Sequence, residues 1–563
     1  MRHTTIGTAA LALLSPLLLP VSAQSSEAAD QLKRLDPAGC KAPSAEATAG
    51  RRMPLIDGLA KVHWPVASAT PQAQRFFDQG LALLYGFEYD KAARSFARGA
   101  ALDPGCAMCL WGQALAMGPY QNSGPIPDVE RAKAKAVTER ALASDKLLPT
   151  ERALVLALDS RYAPAPPKND ALGVHGVRYA EALAALAAAH PADDVLLVMA
   201  GQAAMEVSPW DYWQADGRTP LPWAARAIRA IETVLARSPD QPQAQHLYIH
   251  LTEASQQPGR AERAADMLEV AAPASAHLVH MPSHTFYRVG RFADAVRGNR
   301  RAIQVDDAMA ARLGEARPFY GYFRHHTHFI VSAAEQSGDA AGARAAAAQL
   351  EAAFAKPHAR GADYAQALLA TAMQARAQFA TADEMLALPE PTADLPALRL
   401  VWRALRAEAL GREGRLSAAE QEIKWLRLER LRAPALAERV EPVVRIAEHV
   451  AVGRIAYARR NYRGAATRLT RAAAIEASLS YNEPPAWHQP IDAAVGAALL
   501  KAGDARAARA AFDRALLRRP GSPWALWGRA QAEAALGQDN RATLTEVDRR
   551  WTGDRKWLVL ERL

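Results

Sequence analysis

The stretch FFDQGLALLYGFEYDKAARSFARGAALDP, residues 76–104, contains the helical hairpin on which the fold of this chain depends. Its small, aromatic and proline residues occur at fixed places of a helix–turn–helix unit about 34 residues long. These places are held by Gly80, Tyr89, Ala92, Phe96 and Pro104. Small residues let two helices approach closely, and a larger residue fills the groove beside them. The stretch therefore predicts two helices packed against each other.

The same spacing recurs towards the C-terminus and, more loosely, within residues 453–472. The C-terminal matches are Gly496, Gly503, Ala508, Phe512, Ala515 and Pro520. The looser matches are Gly453, Tyr462, Ala465 and Ala472. This register is that of a tetratricopeptide repeat (TPR). Because one hairpin cannot bury its apolar face alone, the sequence predicts an all-α superhelix of stacked hairpins, an α-solenoid, whose first helices line the concave side.

Composition agrees with a helical protein and argues against a nucleic-acid partner. Hydrophobic residues make up 50% of the chain and aromatic residues only 7%, and there are no long alternating runs of β-branched residues. The net charge is +9, but the 68 basic residues are interleaved with 59 acidic ones. This distribution predicts a mixed-charge surface rather than a phosphate-binding stripe.

Residues 1–23 have the features of a cleaved signal peptide, with a basic start, a short apolar core and small residues before the cleavage site. The protein is therefore expected in the periplasm or outside the cell. No later segment is long enough to span a membrane. The remaining chain is divided into an N-terminal extension (24–71), N-terminal repeats (72–240), histidine-rich repeats (241–355) and C-terminal repeats (356–563). Residues 162–170 are expected to form a loop.

An aromatic insertion, PWDYWQADGRTPLPW at 209–223, interrupts the N-terminal repeats. It is interpreted either as a packing plug or as the rim of a binding groove.

The chain has three cysteines, Cys40, Cys106 and Cys109. The last two have the CxxC spacing, but Leu110 stands where a c-type haem attachment motif needs histidine. Two interpretations remain for this pair, a local disulfide and two buried thiols, of which we favour the thiols.

Histidines are concentrated in one part of the chain, because eight of the fifteen lie between residues 246 and 328. The repeat register places His246, His250 and Glu253 on one face of a first helix, at i, i+4 and i+7. It predicts a second first helix over 277–286, with His280 and His284 four residues apart. In the next first helix, His328 falls at the same repeat position as His280.

Three successive first helices thus present imidazoles to one concave wall, which predicts a divalent metal site. The proposed ligands are His246, His250, His280, His284 and His328, and the expected metal is zinc, non-haem iron or manganese. Glu253 is a further ligand or a general base for a hydrolytic or oxidative reaction. The zincin pattern HExxH is absent because Leu247 follows His246. The alternative is that these histidines are hydrogen-bonded packing residues.

A second hypothesis belongs to another class of function. TPR arrays commonly bind an extended peptide or a helix in the concave groove, so the chain is alternatively an interaction scaffold with a protein partner. The fold favours this hypothesis, and the concentration of histidine favours the metal site.

Five motifs together resemble a family of exported bacterial TPR proteins. They are HLYIHLTEAS, HLVHMPSHTFYRVGRFADA, PWDYW, DPGCAMCLWGQALAMGPYQN and the segment that begins YNEPPAWHQP. The resemblance implies the fold and export, and it implies no activity. In YNEPPAWHQP, residues Tyr481, Glu483, Trp487 and His488 are either part of a proline-rich turn before a helix or a second contribution to the groove. The HHTH segment departs from the single-histidine spacing of the pattern, which leaves the roles of His325 and His326 open.

Overall fold

The computed structural model describes residues 53–67, 69–123, 126–164, 173–315, 322–354, 363–433, 436 and 440–563. All of them belong to one compact unit, Pro37–Leu563. Their regular structure is helical, apart from a single bridge between Trp213 and Pro220. The predicted all-α, TPR-type α-solenoid is therefore confirmed. The signal peptide predicted at 1–23 lies outside the described residues, as does most of the loop predicted at 162–170.

The N-terminal repeats contain eight helices within the described residues. They are α1 Pro71–Tyr85, α2 Tyr89–Leu102, α3 Ala107–Leu115, α4 Asp128–Leu142, α5 Pro149–Arg161, α6 Gly173–Ala189, α7 Asp194–Val207 and α8 Pro222–Arg237. The histidine-rich repeats follow. Their helices are α9 Pro242–Glu253, α10 Glu262–Ala271, α11 Ala276–His280, α12 Pro282–Val289, α13 Phe292–Leu313, α14 Tyr322–Ser337 and α15 Ala340–Ala353.

The C-terminal repeats complete the array. Their helices are α16 Asp363–Phe379, α17 Ala382–Leu386, α18 Pro396–Arg412, α19 Leu416–Arg432, α20 Glu441–Ala458, α21 Tyr462–Ala477, α22 Ile491–Lys501, α23 Ala505–Arg518, α24 Pro523–Ala535 and α25 Arg541–Arg550. Within the part of the chain that the structure describes, three short 3₁₀ segments lie at Pro258–Ala261, Arg555–Trp557 and Leu560–Arg562. Among the described residues, no helix combines the length and the apolar character needed to cross a bilayer.

The glycines of the repeat pattern make the close helix contacts that the sequence predicts. A Cβ atom on Gly80 of α1 would lie 2.5 Å from the ring of Phe96, and one on Gly112 of α3 would lie 2.4 Å from the same ring. The C-terminal repeat has the same arrangement, because Phe512 of α23 lies between Gly496 of α22 and Gly528 of α24. Each aromatic residue thus joins two successive first helices.

Replacing Gly112 by alanine is expected to lower the free energy of unfolding by about 1–3 kcal/mol, because a methyl group there overlaps a buried ring. Gly411→Ala in α18 is the matched control. Its Cβ would meet its nearest neighbour at 3.6 Å, an ordinary contact, so the higher helix propensity of alanine should keep the stability equal or raise it. Chemical denaturation of the two variants checks this prediction, and equal stability for both would contradict it.

The predicted first helix over 277–286 is instead two short helices, α11 and α12, which meet at Met281. The reason is Pro282, which has no amide hydrogen to donate and whose ring clashes with the carbonyl one turn earlier. Gly290 ends α12 in the left-handed conformation, with φ of +83°, at the turn that the register predicts.

Cys106 and Cys109 form a disulfide, so the preference for two free thiols was wrong. Both residues are nonetheless fully buried at the start of α3. Burial alone therefore did not distinguish the two interpretations, because a bridged pair fills the same apolar site.

The C-terminal helices pack against the histidine-rich repeats. The indole Nε1 of Trp524 in α24 donates to the backbone oxygen of Glu335 in α14 at 3.1 Å, and the amide of Thr552 donates to the oxygen of Ser337 at 2.9 Å. This packing brings residues distant in sequence beside α14, among them the segment that contains His488.

Candidate metal centre

Helix α9 supplies three buried polar side chains from one face. Gln241 caps its start by accepting from the amide of Ala244, and Pro242 occupies its first turn, where no amide donor is needed. His246, His250 and Glu253 then follow at intervals of four and three residues, and each is at most 2% exposed. Full burial of three such groups requires partners for all of them.

His246, His250 and His277 form the first of two histidine groups, which we call group one. One nitrogen from each of the three residues lies within 4.8 Å of the other two. The Nε2 atoms of His246 and His277 are 3.1 Å apart. The ring of Phe87 packs against all three imidazoles, with centroid distances of 4.6, 5.9 and 4.8 Å respectively. Group one therefore has a nitrogen-lined centre with an apolar wall.

His280, His284 and His325 form group two, which meets the same 4.8 Å criterion. The Nε2 atom of His284 lies 2.9 Å from that of His280 and 3.4 Å from that of His325. Phe329 of α14 packs against all three rings, with centroid distances of 4.6–5.1 Å. Group two thus repeats the plan of group one.

The other ring nitrogen of several of these histidines is held by an oxygen acceptor. His280 Nδ1 lies 2.7 Å from Asn299 Oδ1, and the amide nitrogen of Asn299 donates to the backbone oxygen of Ala295, which fixes the orientation of that amide. His246 Nδ1 lies 3.0 Å from Gln243 Oε1. An Nδ1 that donates to oxygen leaves the lone pair on Nε2, which is the arrangement of metal-bound histidines.

Glu253 connects the two groups. Its Oε1 accepts from Nδ1 of His250 at 2.9 Å, and its Oε2 accepts from Nδ1 of His284 at 2.5 Å. Burial acts to raise the pKa of Glu253, but the electrostatic influence of His284 and the hydrogen bonds from both imidazoles outweigh it and hold that pKa well below its usual range. Both oxygens are engaged, which favours a positioning role for Glu253; the role of general base stays a prediction.

Burial favours the neutral form of four of these imidazoles. It lowers the pKa values of His246, His277, His280 and His325 well below the usual range, and the neighbouring imidazoles lower them further. Neutral imidazole is the form that binds metal.

The distances between Nε2 atoms fit a metal ion. Two nitrogen ligands at 2.0–2.1 Å from a tetrahedral ion are about 3.3 Å apart. Three of the observed Nε2–Nε2 separations, 2.9, 3.1 and 3.4 Å, lie around that value. In His280 and His284 both Nδ1 atoms face oxygen acceptors, so neutral rings with Nδ1–H have facing Nε2 lone pairs that repel each other, and a cation between them removes that repulsion. The residues present therefore fit a metal.

The structure distributes the predicted ligands over three places. His246 and His250 belong to group one, and His280 and His284 belong to group two. His328 belongs to neither group, because its Nε2 lies 3.2 Å from Nε2 of His488, whose Nδ1 is in turn 2.6 Å from Glu335 Oε2. The predicted set did not include His277 and His325, the third members of the two groups, although His277 begins the helix that the register predicts over 277–286.

Two segments from elsewhere in the chain complete the surroundings. Trp210 of the aromatic insertion packs edge-on against His250 with a centroid distance of 5.1 Å, while Trp213 donates its Nε1 to the oxygen of Leu251. The insertion therefore packs on α9 and against a histidine of group one; its role as the rim of a binding groove stays a prediction. The hydroxyl of Tyr481 donates to Glu483 Oε2 at 2.6 Å. The hydroxyl oxygen of Tyr481 also lies 3.2 Å from Glu253 Oε2.

No protein-family model and no curated protein matches the sequence. Several solved structures of helical-repeat proteins are similar to it. A human IFIT1 dimer with m7Gppp-AAAA is 11% identical, with 95% of each chain covered and a TM-score of 0.31. Yeast Tom70 is 11% identical, with 83% of this chain and 89% of that chain covered and a TM-score of 0.27. The TPR domain of P58(IPK) is 12% identical, with 83% and 98% covered and a TM-score of 0.20. At these scores nothing about a ligand or partner of this chain follows from the likeness.

Proposed function

We propose that this helical-repeat protein binds a metal ion in its histidine-rich repeats, with the imidazoles of groups one and two as ligands. The observation that carries the proposal is the convergence of Nε2 atoms at 2.9–3.4 Å while the Nδ1 atoms of His246, His250, His280 and His284 face oxygen acceptors. A neutral packing histidine is satisfied by an acceptor for its N–H and a donor for its other nitrogen. Here Nε2 of His246, His280 and His284 faces another imidazole, and the buried Nε2 of His250 has no hydrogen-bond partner.

The second candidate is an interaction scaffold that holds a peptide or helix, and it is favoured by the repeat architecture itself. A groove for such a partner needs exposed side chains on the first helices. Every residue of α9 is buried, and so is nearly every residue of α14. These two helices are therefore better suited to an internal site, and a scaffold function would use other repeats of the array.

Elemental analysis of the full-length protein, purified without a histidine tag and dialysed, tests the proposal. We expect at least one tightly held transition-metal ion per chain, and removal of the ion by a strong chelator should lower the melting temperature. His284→Ala should retain less metal than the wild-type protein, because it removes a ligand and a partner of Glu253.

The matched control is His190→Ala, which removes an exposed histidine outside groups one and two. This variant should retain the full metal content. A wild-type protein that is metal-free, takes up neither Zn²⁺ nor copper and melts at the same temperature with and without chelator would contradict the proposal and leave the scaffold.

A further inference from the structure

We infer that groups one and two form a two-ion centre, in which each group binds one late first-row transition-metal ion. The Glu253 carboxylate is hydrogen-bonded to one ligand of each group. This inference rests on the proposed function and adds to it the number of ions, the assignment of ligands and the class of metal.

The position of Glu253 separates the two groups. Its carboxylate lies between the rings of His250 and His284 and accepts from Nδ1 of both. In an imidazole the two nitrogens are directed to opposite sides of the ring, so each Nε2 atom is directed away from the carboxylate. His250 and His284 therefore cannot share one ion through Nε2, although their ring centroids are only 5.9 Å apart.

Each group is a complete ligand set by itself. Three imidazole nitrogens, one from each member, lie within 4.8 Å of one another in group one and again in group two. Zinc sites with three protein ligands keep a fourth position for water or a substrate, whereas structural sites use four protein ligands. Each of the two sets can therefore hold one ion and keep a position open.

The donor atoms define the class of metal. Both carboxylate oxygens of Glu253 are engaged with Nδ1 atoms, so the ligand set of each group consists of imidazole nitrogen alone. Imidazole suits zinc, copper, iron and nickel, whereas Mn²⁺ and Mg²⁺ prefer carboxylate, carbonyl and water oxygens. Among the divalent ions, Fe²⁺ binds such ligands more weakly than the later metals of the row. We therefore assign the site to zinc or copper and not to manganese, one of the three metals expected from the sequence.

The test is the number of ions per chain in the full-length protein. Metal-free protein is titrated separately with Zn²⁺, with Cu⁺ under reducing conditions and with Mn²⁺, and bound metal is measured after dialysis. We expect two ions of zinc or copper per chain and no retained manganese. The metal that the wild-type protein retains at the lower free concentration identifies the preferred ion of the two.

Variants assign the ions to the groups. His246→Ala in group one and His280→Ala in group two should each retain one ion, and the double variant should retain none. His328→Ala, which changes the separate pair with His488, should retain two. Circular dichroism verifies that each variant is folded, and the wild-type stoichiometry tests the inference even where a variant fails to fold.

The outcomes separate this inference from the proposed function. One ion in the wild-type protein, lost in both single variants, would overturn the two-ion centre and leave metal binding intact. Two ions of which His328→Ala loses one would overturn the assignment of ligands. No ion at all would overturn the proposed function as well.

Discussion

Phe512→Ala is expected to lower the free energy of unfolding by about 3–5 kcal/mol, the usual cost of truncating a fully buried aromatic side chain. The ring is completely buried in α23 and contacts Gly496 of α22 and Gly528 of α24. Removing it leaves a cavity between two successive first helices, and the rigid helical backbones on both sides cannot collapse fully into that space.

Leu517→Ala is the control for this prediction, because Leu517 lies in the same helix but is 56% exposed. It should change the stability by no more than about 0.5 kcal/mol. Denaturation of both variants, combined with hydrogen exchange of α22 to α24, gives the measurement. Equal protection of these helices in the two variants would show that Phe512 is not the residue that joins the hairpins.

The sequence was sufficient for the hairpins because the interactions that form them are local. Gly80, Phe96 and Gly112 lie within one repeat length of one another, so their spacing alone predicts which side chains meet. The return of the C-terminal helices to α14 was not predictable in the same way. It depends on the sum of small rotations between successive repeats, which no single motif specifies.

The difference between local and long-range interactions also explains which parts of the candidate site were predicted. His246, His250 and Glu253 share one helix face at helical spacing, and their neighbourhood follows from the sequence. The split at Pro282 was not predicted as a break, although it divides His277 and His280 in α11 from His284 in α12. The partner of His328 was missed because His488 is 160 residues away and reaches it only through the C-terminal packing.

Glu253→Gln is expected to weaken metal retention by about 10- to 100-fold, the usual effect of losing a carboxylate that positions metal-bound histidines. The substitution keeps the shape of the side chain, so the packing of α9 should be preserved. An amide has one oxygen and one NH2 group, and it can accept from only one of His250 and His284. The other imidazole faces a donor and must move its proton to Nε2, where the proton blocks the metal position.

Glu335→Gln is the matched control, because Glu335 is also a buried carboxylate that holds a histidine, with its Oε2 2.6 Å from Nδ1 of His488. It lies outside both groups, so the metal affinity of this variant should equal that of the wild-type protein. Competition with a chelator of known affinity measures the difference for both variants. Equal weakening of metal binding in Glu253→Gln and Glu335→Gln would show a general effect of losing a buried charge. Weaker binding in Glu253→Gln alone follows only if the Glu253 carboxylate sets the tautomers of His250 and His284.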